Sequence, residues 1–538
     1  MTSEAEQIPD DDKITPEILK VAGVVVLGAI MSILDVTVVN VALPTFQTEL
    51  STSGEPLAYS TVAWTATAYM LALAAVIPLT GWAADRFGTK RLYMTAIGLF
   101  TIGSVLCATA WNIEALIGFR VLQGLGGGML MPLGMTIMTK AAGPHRMGRL
   151  MAILGIPMLL GPILGPIIGG ILIDAASWHW VFLINLPIGI IGLLYAQRVL
   201  PKDSPEPSES LDVFGMILLS PGLALLLYGV STIPEVGTLA AAKVLIPAIV
   251  GIVLIVSFVF YSFKPQHPLL DLRLFKDRNL SVAVITMFFF AAAFFGALLL
   301  VPTYFQQVNG DSVLKAGLLI APQGLGAMIT MPIAGTLTDK MPVGRIVPFG
   351  FIGILIGIFG LAQSTSPETS NLTIMTWLFI TGLGMGATMM PLFTSALKTL
   401  KAHEVARGST LLNVTQQVAS ATGIATISVV LTNAMKSGDV LAGSENLPGV
   451  EGGLTAAQLA AGSHTDQGAG LVQALQVPAD VLQRGFVDLA DAFQSSYWVA
   501  FGVLVFTLIP VAFLPRKREK SHLLDEQEGG STPPVMMH

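Results

Sequence analysis

Apolar positions in this chain fall into long runs broken by short polar segments. Fourteen runs reach the roughly 20 residues that a helix needs to cross a bilayer core of about 30 Å. The predicted spans are 20–43, 60–80, 92–111, 114–138, 150–173, 180–198, 213–230, 242–263, 279–303, 315–336, 346–363, 372–396, 408–434 and 495–514. An even number of crossings puts both termini on one side.

Composition supports lipid as the solvent. Hydrophobic residues make up 53% of the chain and charged residues 12%, about half of what soluble domains carry. The basic residues choose the orientation. With both termini cytoplasmic, Lys243, Lys315, Lys436 and Arg484 fall outside, Arg120 lies within a helix, and the rest of the 28 Lys and Arg fall inside. The acidic start, Met1 to Asp12, lacks the basic region of a cleaved signal peptide. Cys107 is the one cysteine, the seven histidines fall in loops and tails, and no phosphate-binding G-x-x-x-x-G-K-[ST] occurs. Neither a metal, a cofactor nor a nucleic-acid partner is expected, and no constellation of catalytic residues points to an enzyme.

Two pairs of segments repeat. GWAADRFGTKR (81–91) is echoed by GTLTDKMPVGR (335–345), and GLGGGMLMPL (124–133) by GLGMGATMMPL (382–392). Offsets of 254 and about 258 residues indicate duplication of a six-helix unit. The expected organisation is a cytoplasmic tail (1–19), a six-helix bundle (20–198), a linker with two inserted helices (199–278), a second six-helix bundle (279–514, with an outer loop at 435–494) and a cytoplasmic tail (515–538). Part of the outer loop, near 469–493, is expected to form short amphipathic helices. Parallel repeats of this kind rock about a central cavity to give alternating access.

In order and spacing, LDVTVVNVALP (34–44), GWAADRFGTKR, RVLQGLGGG (120–128), GPILGPIIGG (161–170) and WHWVFLINLPIG (178–189) resemble the major facilitator superfamily, specifically its fourteen-helix drug:proton antiporters of the EmrB/QacA type. The resemblance covers roughly residues 20–515. It departs from the family at Ala83, where Leu is common, and at His179, where Arg is common. It implies the major facilitator fold: an all-α membrane protein of two six-helix bundles plus two inserted central helices.

Two charges lie inside predicted spans, where a charge costs from about 2.5 to more than 10 kcal/mol. Asp35 is about 13 Å and Arg120 about 9 Å from the outer ends of their helices at 1.5 Å per residue, so they can meet. The functional reading makes Asp35 a proton carrier tuned by Arg120, as the resemblance also implies; the other is a static packing pair. A single intramembrane acid predicts one proton exchanged per cycle. No acid occurs in 316–336, the helix in which the resemblance implies an acid for dication exporters, so neutral or monocationic substrates are expected.

Gly81, Asp85, Arg86, Gly88, Lys90 and Arg91, with Asp339 and Arg345 of the second copy, read either as a cytoplasmic gate or as loops that fix topology. Gly161, Pro162, Gly165, Pro166, Gly169 and Gly170 predict a bent, closely packed fifth helix; the resemblance assigns this motif to antiporters, hence export. Candidate cavity residues are Gln123, Asn413, Gln416, Gln417, Phe290 and Phe294; packing between helices or against lipid is the competing role. The function expected is proton-coupled antiport that exports small amphipathic molecules or drugs across the cytoplasmic membrane. A dedicated exporter of one metabolite, lipid or siderophore is the alternative, and a sensor or scaffold is a third reading against which the buried charges argue. An accessory periplasmic protein is a candidate partner for the outer loop.

Overall fold

The computed structural model describes residues 14–51, 57, 59–142, 146–203, 210–233, 241–266, 268–401, 404–438, 441, 454–464 and, apart from 471, 474 and 476, 469–517. A first unit holds α1 (Pro16–Glu49), α2 (Tyr59–Phe87), α3 (Thr89–Ala108), α4 (Ile113–Ala142), α5 (Met147–Ala175) and a broken sixth helix, α6 (Trp180–Leu183) with α7 (Asn185–Val199). Next come α8 (Val213–Ser231), α9 (Ala242–Tyr261) and a 3₁₀ turn (Leu272–Lys276). The second unit holds α10 (Arg278–Gln307), α11 (Val313–Lys340), α12 (Val343–Ser364), α13 (Asn371–Gly386) with α14 (Met389–Lys398), α15 (Val405–Lys436), the short α16 (Ala456–Gly462) and α17 (Ala479–Ala512).

Apolar chain in lipid must satisfy its backbone within the segment, which leaves helix as the solution. Among the described residues, thirteen helical stretches are long and apolar enough to cross a membrane, α6–α7 and α13–α14 counting as one each. α5, with 29 residues, occupies the fifth predicted run. Several starts are set by side-chain caps: Thr15 accepts from the Ile18 amide, Asp277 from those of Asn279 and Leu280, and Ser312 from that of Lys315.

The two units repeat each other's packing. α1 lies on α5 as α10 lies on α15; α4 packs between α2 and α3 as α13 packs between α11 and α12; α7 joins α3 as α17 joins α12. The units meet along α2–α15 and α5–α11, again an equivalent pair. The inserted α8 and α9 pair with each other, and α8 rests on α2 and α15 beside that seam. α9 turns Ile246, Ile249, Val253 and Phe260 outward, the last 74% exposed, as a lipid-facing helix must.

Glycines set the approach of the central helices. A Cβ at Gly124 or Gly128 would meet the backbone of α2, at Tyr69 and Leu73; one at Gly126 would meet α3, at Ala96 and Phe100. In the second unit Gly382 and Gly386 face α11 and Gly384 faces α12. The repeat is imperfect by one residue: between the last glycine and the proline, Gly386–Pro391 is one longer than Gly128–Pro132. That extra residue falls where α13 breaks from α14 at Ala387–Thr388, and the Thr388 hydroxyl donates to the Gly384 carbonyl at 2.8 Å.

Two expectations need correction. The last span begins at Ala479, not near 495, and 479–494 is part of that helix in place of separate short helices. Its polar positions hid it from hydropathy: Asp480 and Arg484 pair one turn apart in solvent while Leu489, Ala490, Ala492 and Phe493 are buried. The sixth and twelfth spans are each interrupted, at Ile184 and at 387–388.

Gly126→Val should lower the thermal midpoint of the purified protein, since overpacking against α3 backbone costs about 1–3 kcal/mol. Gly98→Ala, with open space at its Cβ, should leave the midpoint unchanged in the same melt.

Candidate functional site

Asp35 and Arg120 meet inside the first unit, each 1% exposed. Arg120 Nη1 donates to Asp35 Oδ2 at 2.5 Å and to Gln123 Oε1 at 2.7 Å, and its Nε donates to the Thr65 carbonyl at 3.0 Å. Gln123 Nε2 donates to Asp35 Oδ1 at 2.7 Å and to Ser104 Oγ at 3.2 Å. Asn185 Nδ2 donates to Ser104 Oγ at 3.1 Å and reaches Asp35 Oδ1 at 3.4 Å. The guanidinium carbon lies 4.2 Å from the Tyr69 ring centroid and 5.9 Å from that of Phe182. Every one of these partners comes from α1, α2, α3, α4, α6 or α7 of the first unit. The second unit has Leu378 where the repeat places the counterpart of Arg120.

Burial explains the density of partners. A charge taken from water needs an opposite charge and hydrogen bonds on its remaining positions. Removing one member of such a pair costs about 3–5 kcal/mol. The carboxyl group here accepts from a guanidinium and from the side-chain amides of Gln123 and Asn185.

A second polar cluster lies between the units, at the face that carries both chain ends. Asp339, at the end of α11 and 6% exposed, accepts from the amide of Gly148 at 2.8 Å, from Nε of Arg149 at 3.1 Å and more weakly from the Arg149 amide at 3.4 Å. Gly148 and Arg149 form the first turn of α5, so the acid also faces the positive end of that helix. In the equivalent place Asp85, at the end of α2, lies 3.6 Å from Nε of Arg407 in the first turn of α15. Between them Ser409 Oγ donates to the Pro132 carbonyl at 3.1 Å and shares a 2.9 Å bond with Thr136. Gly81 lies against Arg407 and Thr410, and Gly148 against Gly335, which brings the backbones together. This face is closed.

The remaining gate residues serve within a unit. Gly88 has φ +90°, and a Cβ there would fall on the Asp203 carboxylate. Asp203 caps α3, accepting from the amides of Lys90 at 2.7 Å and Arg91 at 3.0 Å. Lys90 Nζ donates to the last carbonyls of the sixth helix, Gln197 and Leu200, both at 2.7 Å. Arg86 is half-buried; Arg91 and Arg345 are exposed, and the structure does not bring Arg345 into the cluster.

In α5, Gly161 lies against Ile33, Gly165 against Thr37 and Gly169 against Val38 and Val41, so this face seats α1; Gly170 faces open space. The side chains of Pro162 and Pro166 lie outside the described residues. Three of the candidate cavity residues are placed otherwise. Gln123 is buried on Asp35, because it sits one helical turn after Arg120. Phe290 and Phe294 are 0% and 2% exposed and stacked at 5.5 Å, with Phe351 of α12 edge-on to Phe290; the bulk that would suit a ligand is spent on packing inside the second unit. Asn413, 8% exposed, bonds Met135 Sδ across the units and the Ser409 carbonyl. Gln416 and Gln417 remain half-buried on α15.

Sequence reading missed Tyr69, Ser104, Arg149, Asn185, Asp203 and Arg407. Asn185 stands as the polar residue of an otherwise apolar WVFLINLPIG stretch, a signal that was available. It also missed Asp212, which caps α8 through the Gly215 amide at 2.8 Å, accepts from the Tyr261 hydroxyl at 2.9 Å and the Leu269 amide at 3.1 Å, and so ties both inserted helices together.

Two six-helix units related by an internal repeat, a latch between them at one face and a buried ion pair in one of them define a membrane transporter with paired bundles. The chain belongs to the Major Facilitator Superfamily, which matches residues 25–424. It is 46% identical over 518 residues to the Multidrug resistance protein B homolog of Mycobacterium tuberculosis (strain ATCC 25618 / H37Rv), covering 95% of this chain and 92% of the relative. It is 31% identical over 409 residues to the Multidrug export protein EmrB of Escherichia coli (strain K12), covering 76% and 79%. The fold is shared with the proton:xylose symporter XylE (TM-score 0.57, 16% identity, 95% of this chain and 98% of that one) and with the human organic anion transporter MFSD10 (TM-score 0.58, 16% identity, 91% and 100%).

Asp339→Asn should loosen the latch. Charge-assisted bonds of this kind are worth about 1.5–3 kcal/mol, so the fraction open at this face should rise about tenfold or more. Spin labels at the exposed Lys140 and Lys340 report it as a longer-distance population; an unchanged distance distribution would count against the latch.

Proposed function

We propose that this protein is a proton-coupled antiporter that exports small amphipathic molecules, drugs among them, across the cytoplasmic membrane. The observation that carries the reading is the Asp35–Arg120 pair: an ionisable carboxyl held at bilayer depth in one unit, with Leu378 at the place of the cation in the other. Ionisable groups at such depth are costly and mark ion or substrate pathways. Asp35 takes up a proton on the outer side and releases it inward, and substrate moves the opposite way as the units alternate. Asp85 and Asp339 hold the cytoplasmic face shut while the outer side is open. The names of the two relatives, multidrug resistance and multidrug export, support outward transport of varied substrates over a single endogenous cargo. The excess of Lys and Arg at the face bearing the chain ends supports cytoplasmic termini.

Asp35→Asn is the direct test, because Asn keeps an acceptor for Arg120 but has no titratable group. In proteoliposomes with an imposed pH gradient, export of a monocationic dye should fall to the level of protein-free vesicles, while dye binding in detergent changes by no more than a few-fold. Export at the wild-type rate would remove Asp35 from the mechanism. Orientation is tested separately: a green fluorescent protein fused to the C-terminus should fluoresce, whereas a secreted phosphatase fused there should be inactive.

A further inference from the structure

If Asp35 carries the proton, Arg120 loses its counter-ion once per cycle while remaining buried. Something must hold the guanidinium in that interval. Among the described residues, the titratable side chains around it are Asp35 on α1, Tyr69 on α2 and Cys107 on α3, and α7 contributes the neutral Asn185. Among the described residues around Arg120 there is no second acid to replace Asp35. Four uncharged groups also meet it: the Thr65 carbonyl, Gln123 Oε1 and the rings of Tyr69 and Phe182, 4.2 Å and 5.9 Å from the guanidinium carbon. Of the two rings Tyr69 is the nearer, and the guanidinium carbon lies over its face. The attraction of a cation to an aromatic face strengthens when both are desolvated, and Tyr69 is fully buried; an ionised carboxylate beside the cation offsets that attraction, so the ring counts for more once Asp35 is neutral.

The duplicated unit supplies an internal comparison. Gly124 of α4 approaches the carbonyl of Tyr69, and its counterpart Gly382 of α13 approaches the carbonyl of Gln323, so residues 69 and 323 occupy equivalent places. The counterpart of Arg120 is Leu378, fully buried. Where the cation is absent the aromatic ring is absent too, although the helix packing is the same. The ring therefore goes with the charge and is not demanded by the frame.

We propose that Tyr69 is a positioning residue for proton exchange: its ring face holds Arg120 while Asp35 is neutral, and so keeps the protonated state within reach at ordinary proton concentrations. This rests on Asp35 being the proton carrier. A competing role for Tyr69 is the bond between its hydroxyl and Ser32 Oγ, 3.2 Å.

The test compares the full chain in proteoliposomes with Asp35→Asn, Tyr69→Phe and Tyr69→Leu, reading dye–proton exchange against pH. Tyr69→Phe keeps the ring and should follow the wild-type profile. Tyr69→Leu should need about tenfold more protons for half-maximal exchange, the equivalent of one pK unit, with KM for the dye at saturating proton concentration within about twofold of wild type. Should Leu at this position not give folded protein, phenylalanines carrying increasing numbers of fluorines at position 69 weaken the ring face at nearly constant size, and the profile should move stepwise with fluorine number. A wild-type profile for Tyr69→Leu, a flat fluorine series, or an equal shift in Tyr69→Phe would each overturn the role given to the ring. Retained pH-dependent exchange in Asp35→Asn would instead overturn the carrier itself, so the two failures are distinguishable.

Discussion

A carboxylate and a guanidinium removed from water together constrain the whole first unit. Left alone at their depth, either charge would cost several kcal/mol. The structure meets this by surrounding the pair with amide, carbonyl, hydroxyl and ring partners drawn from five helical segments, α2, α3, α4, α6 and α7. Those partners reach the pair only if α2 and α3 close on α4 to backbone contact. The glycines at 124, 126 and 128 allow that closure, and Gly127 leaves room for the Tyr69 hydroxyl. Arg120, Gln123 and the glycine run that follows them are thus one feature: the charge, its first amide partner and the room for the rest.

The second unit shows what the same frame does without the charge. Gly382, Gly384 and Gly386 reproduce the close packing, while Leu378 and Gln323 stand at the places of Arg120 and Tyr69. The latch behaves in the opposite way. Asp85 and Asp339 occur in both copies, each at a helix end, each on the first turn of a helix from the other unit. Duplication has kept what joins the units symmetric and has left the ionisable chemistry on one side only.

Much of this was legible in the sequence. Long apolar runs announce crossings because a continuous apolar stretch of about 20 residues satisfies its own backbone in lipid as a helix, and the depths of Asp35 and Arg120 along their helices place them within reach. The paired GWAADRFG and GTLTDKMP segments reveal the duplication and both latch acids. Rotation about the helix axis was not legible. Residue type marks Gln123 as polar and Phe290 as aromatic, but which neighbour each meets depends on how the helices turn against one another. The first turns that receive the latch acids carry Arg149 and Arg407 among many bases of the same face, so nothing singled them out. The α13–α14 break rests on one extra residue between similar segments, and the early start of α17 on an ion pair that lowers local hydropathy without breaking the helix.

Confinement of the ion pair to one unit bears on how alternation could move a proton. Rocking of one rigid unit against the other leaves Asp35 and Arg120 in contact, because α1, α2, α3, α4, α6 and α7 travel together. A change in the surroundings of Asp35 therefore needs a deformation inside the first unit. α5 is the element placed to transmit one. Its first turn receives Asp339 from the second unit, Gly155 lies against Met331 and Met390 of that unit, and its later glycines seat Ile33 and Thr37, the residues flanking Asp35 on α1. Opening the latch frees the start of α5, and the face of α5 that would move is the face on which α1 rests. The glycines at 161, 165 and 169 seat Ile33, Thr37 and Val38, so a shift of α5 would reach α1 within two residues of Asp35 without prying the pair out of its own bundle.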